Sequence, residues 1–289
     1  MKIAVSGATG FIGNRLCQEL SAAGHCVTPL NRELFDGTSS RPLRRIIENV
    51  DVVINLAGET INQRWTKRAK ERILESRVIT TRMIVNEMNL VNRPQVLIST
   101  SAIGYYPAVG CYDERNKVEN FTFLSYICRV WEAEASKLKP TSRLVITRFG
   151  VVLDPAGGAL PQMLKTKELG FIAQIGPLER PMSWISRTDL IRAMLFIIDN
   201  EELEGVINLT TPRLTLQEDF LTAAKEHYNI KHTIPIPIFI LRLLYGEGVE
   251  VLTQGQCVAP QRLIDHGFQF QQPDFCALFA RRGSLSRTE

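Results

Sequence analysis

The chain has 289 residues, with 34 Lys plus Arg against 30 Asp plus Glu for a net charge of +4, and it is 45% hydrophobic and 22% charged. That composition excludes intrinsic disorder and a collagen-like fibre, and the length suits one α/β domain with an appendage or two smaller domains. The charges are interleaved with no run of five of one sign, so no nucleic acid partner is expected.

In chain order, short apolar runs at 3–5, 27–30, 52–56, 96–98 and 144–146 alternate with amphipathic stretches at 11–23, 67–91 and 122–139. This is the pattern of β-α-β units, so the fold class is α/β: a Rossmann-like, doubly wound parallel sheet. The first strand runs directly into Gly7-Ala8-Thr9-Gly10-Phe11-Ile12-Gly13. A strand, a glycine turn and a helix N-terminus make an anion cradle. Gly7 allows the turn, Gly10 lets backbone approach a pyrophosphate, and Gly13 lets helix pack on strand. Thr9, Phe11 and Ile12 complete this expected dinucleotide site. The second strand ends in Leu30-Asn31-Arg32, where an NAD enzyme usually carries an acidic group for the ribose 2′-hydroxyl. Asn31 and Arg32 stand there instead. A forked guanidinium suits a 2′-phosphate, so NADP is expected ahead of NAD, with a solvated loop arginine as the alternative.

The third strand ends in Leu56-Ala57-Gly58, where small residues let backbone pass close to a cofactor, and Arg77 on the next helix is placed to reach it unless it pairs on the surface. The fourth strand ends in Ser99, Thr100 and Ser101, polar residues that also serve as ordinary strand-end hydrogen bonders, and Tyr105 and Tyr106 follow it, expected to contact substrate at the pocket mouth. Arg148 closes the fifth strand, facing a cofactor phosphate or pairing with Asp189. After Gly150 the pattern loosens into loops, with a helix at 188–199, a strand at 206–209 and a helix from 216. The expected division is a cofactor-binding domain at 1–230 and a small, mainly helical cap at 231–289, punctuated by Pro235, Pro237, Pro260 and Pro273.

Gly7, Gly10 and Gly13 resemble the GxxGxxG turn of extended short-chain dehydrogenases/reductases. Asn55-Leu56-Ala57-Gly58-Glu59, Arg64-Trp65-Thr66, Ser76-Arg77-Val78, Ser101-Ala102-Ile103-Gly104-Tyr105-Tyr106, Trp131-Glu132-Ala133 and Ser183-Trp184-Ile185 with Asp189 are similar to an atypical epimerase/dehydratase-like branch whose C-terminal domain has no defined function. Pro235-Ile236-Pro237, Gln254-Gly255-Gln256 and Pro260-Gln261-Arg262-Leu263 resemble that domain, so the likeness spans nearly the whole chain. It implies a Rossmann-like core, a nicotinamide cofactor and a pocket roofed by the C-terminal portion. Ser186 stands where the branch often has His.

The resemblance also implies a strand-end Ser with a Tyr and a Lys four residues apart on the next helix. Ser101 fits the first role, and Tyr126, 25 residues on, fits the second as acid/base. Val130 stands in place of the lysine. A phenol with a pKa near 10 is only about one part in a thousand ionised at pH 7 without a neighbouring cation. Arg129 is one such neighbour by helical spacing, and packing of Tyr126 at the pocket wall is the alternative.

The expected activity is therefore an NADP-dependent oxidoreductase or epimerase-like reaction on a small alcohol or carbonyl. A non-catalytic NADP-binding module is the alternative. His25, His227, His232 and His266 show no metal spacing. Cys17, Cys26, Cys111, Cys128, Cys257 and Cys276 form no C-x-x-C, which suggests a reducing compartment without structural zinc. No signal peptide is read, and the apolar stretch 234–244 carries two prolines and Arg242, far short of the roughly 20 apolar residues that span a bilayer. A cytoplasmic location without membrane contact is expected, as monomer or homodimer.

Overall fold

The structure is a computed structural model that describes residues 1–37 and 39–280. Its centre is a six-stranded parallel sheet: β1 (Lys2–Ser6), β2 (Cys26–Leu30), β3 (Val52–Asn55), β4 (Val96–Ala102), β5 (Arg143–Phe149) and β6 (Gly205–Leu209). The spatial order is β2-β1-β3-β4-β5-β6. Strand alternation sends Ile3, Val5, Val52 and Ile54 to one face, where they pack with Leu16 and Leu20 of α1 (Phe11–Ala22). Ala4, Val53 and Leu97 meet α2 (Arg41–Ile47) and α3 (Lys67–Asn89) on the other face through Leu43, Ile47, Ile84 and Met88. Both faces of the sheet are covered, which is why its strands read as continuous hydrophobic runs. Pro29 is tolerated because β2 lies at the sheet edge.

The helices begin where side-chain caps allow. Thr66 accepts from the Ala69 N–H at the start of α3, and Thr122 from the Ser125 N–H at the start of α4 (Phe123–Ala135). Ser186 accepts from the Asp189 N–H at the start of α5 (Arg187–Asp199). Strands β4 and β5 run longer than their apolar centres predict. They stay in register through Ala102 opposite Phe149, so Ser99 is paired on both sides, with β3 and β5, while Thr100 and Ser101 are held by β5 alone.

The C-terminal portion folds back onto this core. Leu263 and Phe268 enter the cluster shared by α1 and α5. Phe275 stacks on Trp184 at 4.5 Å and packs with Phe220 of α6 (Gln217–Tyr228). In contrast, α7 (Ile238–Tyr245) buries only Leu241. Cys111 and Cys257 are joined in a disulfide, whereas the sequence suggested a reducing compartment for all six cysteines. The partners stand 146 residues apart in sequence, and the parallel pairing of Cys257-Val258 with Cys111-Tyr112 sets them side by side. Among the described residues no helix is long and apolar enough to cross a membrane.

Candidate functional site

Strand order reverses direction between β1 and β3, and a crevice opens beyond their C-terminal ends at such a switch point. The glycine turn and Leu56-Ala57-Gly58 both leave the sheet there. Gly7 has φ +68°, and a Cβ on it would stand 2.9 Å from the Leu56 carbonyl oxygen. A Cβ on Gly13 would stand 2.2 Å from the Gly7 oxygen, so helix and strand approach closer than any side chain permits. Thr9 and Gly10 are exposed at the crest. The first N–H groups of α1, from Phe11 to Gly13, have no partner within the helix, as at any helix N-terminus, and such groups can receive an anion. The Phe11 ring itself is enclosed. Cβ atoms on Gly157 and Gly158 would come within 2.7 and 2.8 Å of it, and Arg187 lies 4.5 Å over its face. Phe11 therefore offers the crevice its backbone, while Ile12 is half-buried.

Below the crevice lies a buried polar chain. Ser6 donates to Asn55 Oδ1 at 2.6 Å, Asn55 Nδ2 donates to Thr81 Oγ1 at 2.8 Å, and Trp131 Nε1 donates to the same hydroxyl at 2.8 Å. It fixes where the backbone leaves β1 and β3. Arg77 reaches over Gly58, so that a Cβ there would meet the guanidinium at 3.0 Å. Its Nη1 donates to the Glu59 and Ile73 carbonyls, and burial lowers its pKa. Asn31 and Arg32 are exposed just past β2, where Arg32 opens a short 3-10 helix over Arg32–Phe35. Arg32 has no ion-pair partner among the described residues, so its fork is free for an anion.

Register aligns a second row. Ser101 lies beside Arg148, and Arg148 beside Asn208, across β4, β5 and β6. Glu132 of α4 closes on this row: Ser101 donates to its Oε1 at 2.6 Å, while Arg148 Nε and Nη2 grip both oxygens at 2.8 and 2.7 Å. Arg148 Nη1 also donates to the Tyr106 hydroxyl at 2.9 Å, whose proton faces Asn208 Oδ1 and the Asp113 carbonyl, both at 3.1 Å. Burial alone would lower the Arg148 pKa, but the Glu132 carboxylate overrides it and holds the guanidinium above its ordinary value. Burial pushes the Tyr106 phenol up.

Arg148 is therefore committed to Glu132 and Tyr106, neither to a cofactor phosphate nor to Asp189, and Tyr106 is wholly buried rather than open to substrate. Tyr105 is half-buried, its ring centroid 3.4 Å from the guanidinium of Arg148. Tyr126 stands apart on α4, 48% exposed, its hydroxyl without a hydrogen-bond partner among the described residues. Arg129 turns to the Phe121 ring instead.

Residues 3–210 of this chain match the NAD dependent epimerase/dehydratase family. The chain belongs to that family. Residues 236–280 match a domain of unknown function, DUF1731. The human epimerase family protein SDR39U1 (isoform 2), crystallised with NADPH, superposes with a TM-score of 0.87 at 29% identity over 96% of this chain and 98% of that one. An epimerase family protein of Staphylococcus saprophyticus, SSP1921, is 35% identical over 93% of this chain and 95% of its own length. The chloroplastic SDR39U1 homolog of Arabidopsis thaliana is 32% identical over 94% of this chain and 83% of its own.

Within this epimerase/dehydratase fold, Ser101 occupies the expected strand end. Glu132, Asn208 and Glu114 are the site residues that sequence reasoning did not assign. The Glu114 carboxylate accepts the backbone N–H groups of Asn208 and Gln261 at 2.9 and 3.1 Å, and burial raises its pKa. A signal existed for Glu132, which follows buried Cys128 by four residues and Trp131 by one on the inward stripe of α4. None existed for Glu114, whose partners lie about 94 and 147 residues further on.

Proposed function

We propose that this chain is an NADP-dependent oxidoreductase or epimerase-like enzyme acting on a small alcohol or carbonyl, in the cytoplasm, as monomer or homodimer. The observation that carries the cofactor choice is Arg32, exposed past β2 with no ion-pair partner among the described residues, where an acidic residue would select NAD. The N–H groups at the start of α1 would hold the pyrophosphate, Arg32 and Asn31 the 2′-phosphate, and Ala57, Gly58 and Arg77 would line the adjoining wall. The NADPH in the human relative's crystal supports the same choice. The bound nicotinamide supplies or accepts hydride. On the protein side, the Ser101 hydroxyl donates its hydrogen bond to Glu132, so its oxygen would act towards a substrate hydroxyl as an acceptor. Tyr105 is the phenol that the stacked Arg148 fixes beside this pair.

A second reading has its own support. Ser101 is 1% exposed and Tyr126 lacks a paired cation, which suits a non-catalytic NADP-binding module. Parallel titrations with NADPH and NADH, followed by nicotinamide fluorescence, test the cofactor assignment. Arg32→Ala is expected to weaken NADPH binding about 10- to 100-fold, the loss of a charge-assisted fork, while NADH changes by less than about twofold. Equal effects on both cofactors would overturn it. A panel of alcohols with NADP and carbonyls with NADPH then separates the two readings. Turnover lost in Ser101→Ala supports the enzyme, and no turnover with tight NADPH binding supports the module.

A further inference from the structure

We propose that Cys111 and Cys257 form a reversible thiol–disulfide site that latches the C-terminal segment to the tyrosine loop of the candidate site. Cys111 lies in the loop at 104–114. This loop carries Tyr105 on the face of Arg148, Tyr106 within the buried row, and Tyr112 stacked on Tyr106 at 5.6 Å. Cys257 follows Gln254-Gly255-Gln256, a stretch pressed onto Pro181 so closely that a Cβ on Gly255 would stand 2.1 Å from the Pro181 oxygen. Residues 181–183 in turn cover the end of β5, where a Cβ on Gly150 would meet the Ser183 oxygen at 2.9 Å. The bridge therefore joins the loop that positions Tyr105 to the strap that crosses the site.

The strap does not depend on this bond. Val258 N–H donates to Ser183 Oγ at 2.9 Å, Ser183 Oγ donates to the Gln256 carbonyl at 2.8 Å, and Thr210 Oγ1 donates to the Val258 carbonyl at 3.0 Å. Asn208 Nδ2 holds the Ala259 carbonyl at 3.0 Å, whereas the loop's own further ties to the strap are hydrogen bonds: the Tyr112 carbonyl accepts the Ala259 N–H at 2.8 Å and Glu114 the Gln261 N–H at 3.1 Å. Opening the disulfide leaves the strap seated and removes the covalent constraint on the loop. A local change with two discrete states is what a switch requires.

Access and chemistry agree with reversibility. Cys111 is exposed, whereas Cys257 is only 9% exposed, so a small thiol reaches the Cys111 sulfur and Cys257 leaves. Cys128 lies beneath the same loop, its Sγ 3.9 Å from where a Gly104 Cβ would be, but burial pushes its thiol up to about 11. It stays protonated and does not compete in exchange. In a reducing compartment, an accessible bridge of this kind is transient. Closure consumes one low-molecular-weight disulfide of the glutathione type. The Cys111 thiolate attacks it and expels one thiol, then the Cys257 thiolate attacks the mixed disulfide at Cys111 and expels the second. Two protons and two electrons pass from the protein to the small disulfide, and opening is the reverse.

The test uses the full chain equilibrated in oxidised or reduced glutathione, alkylated under denaturing conditions and mapped by mass spectrometry. In the oxidised buffer, Cys17, Cys26, Cys128 and Cys276 are expected to be alkylated and Cys111 and Cys257 to appear as one linked peptide. In the reduced buffer all six are alkylated. Alkylation of Cys111 and Cys257 in both buffers would overturn the site, as would a linked peptide that persists in reduced glutathione. Hydrogen exchange then reads the coupling: reduction is expected to speed exchange in residues 104–114 by about tenfold or more, local opening replacing a cross-linked loop, and to leave residues 2–13 unchanged. Cys111→Ser and Cys257→Ser should match the reduced wild type in both buffers. Cys111→Ser alters an exposed position and remains informative if the buried substitution fails to fold. A bridge that forms but leaves exchange unchanged marks a static cross-link and overturns the latch. None of these readouts involves the cofactor, so they stand apart from the NADP assignment.

Discussion

Glu132 concentrates the electrostatics of the site in one side chain. Its carboxylate receives the Ser101 hydroxyl and two nitrogens of Arg148, which is only 4% exposed. Replacing it with glutamine puts an N–H₂ against one of these donors and strands a buried guanidinium. Removing one partner of a buried ion pair costs about 3–5 kcal/mol, far more than the pair contributes against an apolar substitute. Glu132→Gln is therefore expected to lose stability on that scale in urea unfolding. Tyr126→Phe, at an exposed hydroxyl with no hydrogen-bond partner among the described residues, should stay within about 0.5 kcal/mol of wild type. Equal losses would show that Tyr126 has a structural partner and that the Glu132 pairing is weak. The pairing also explains what spacing could not reveal at residue scale. The distance from Ser101 to Tyr126 in sequence resembles an active-site pair, yet the inward face of α4 presents Glu132 to the serine and turns Tyr126 outward.

At the scale of elements, α3 and α4 pack against each other. Trp131 donates to Thr81, Ile73 meets Ile127, and Arg82 reaches Glu134 with two hydrogen bonds at 3.2 and 2.8 Å. Glu134 is nearly buried while Arg82 is half in solvent, and Lys137 adds a second contact at 2.9 Å. The hydrogen bond from Arg82, with Lys137 behind it, holds the Glu134 carboxyl below its ordinary value. Because the folded pKa is the lower one, this contribution is complete above the ordinary glutamate value of about 4.3 and fades as pH falls through the folded value. Glu134→Gln should lower the melting temperature at pH 7, and the gap to wild type should shrink as pH falls below about 4. A gap that widens in acid would reverse the assigned sign. Both helices were readable in sequence because their apolar stripes persist for several turns and Thr66 and Thr122 supply caps. The full length of β4 was less so: its apolar run stops at Ile98, whereas Thr100 and Ser101 stay extended because β5 pairs with them, and a linear pattern carries no record of such a partner.

Across the whole molecule, the readable part is the crevice at the strand-order switch, since Gly7, Gly10, Gly13 and Ala57-Gly58 fall within 52 consecutive residues and are set by local turns. The unreadable part is the attachment of the C-terminal segment, which rests on contacts between residues about 50 to 150 positions apart. Asp189 shows how such a contact works. Its carboxylate, fully buried in the first turn of α5, accepts the Gln271 and Gln272 N–H groups at 2.9 and 2.7 Å and pairs with Arg192. A negative charge there is favoured by the helix N-terminus and by two backbone donors, and these orient the chain so that Phe275 and Leu278 reach Trp184 and Phe220. Asp189→Asn keeps the shape but replaces one acceptor oxygen with a donor facing an N–H. The expected cost is about 2–4 kcal/mol, a lost charged hydrogen bond plus a buried donor left unmet. The effect should be local first: limited proteolysis and hydrogen exchange should show residues 269–280 released while the glycine turn at 7–13 stays protected. If both regions loosened together, the C-terminal segment would be part of the same cooperative unit as the sheet; if neither did, the aromatic stack alone would suffice to hold it.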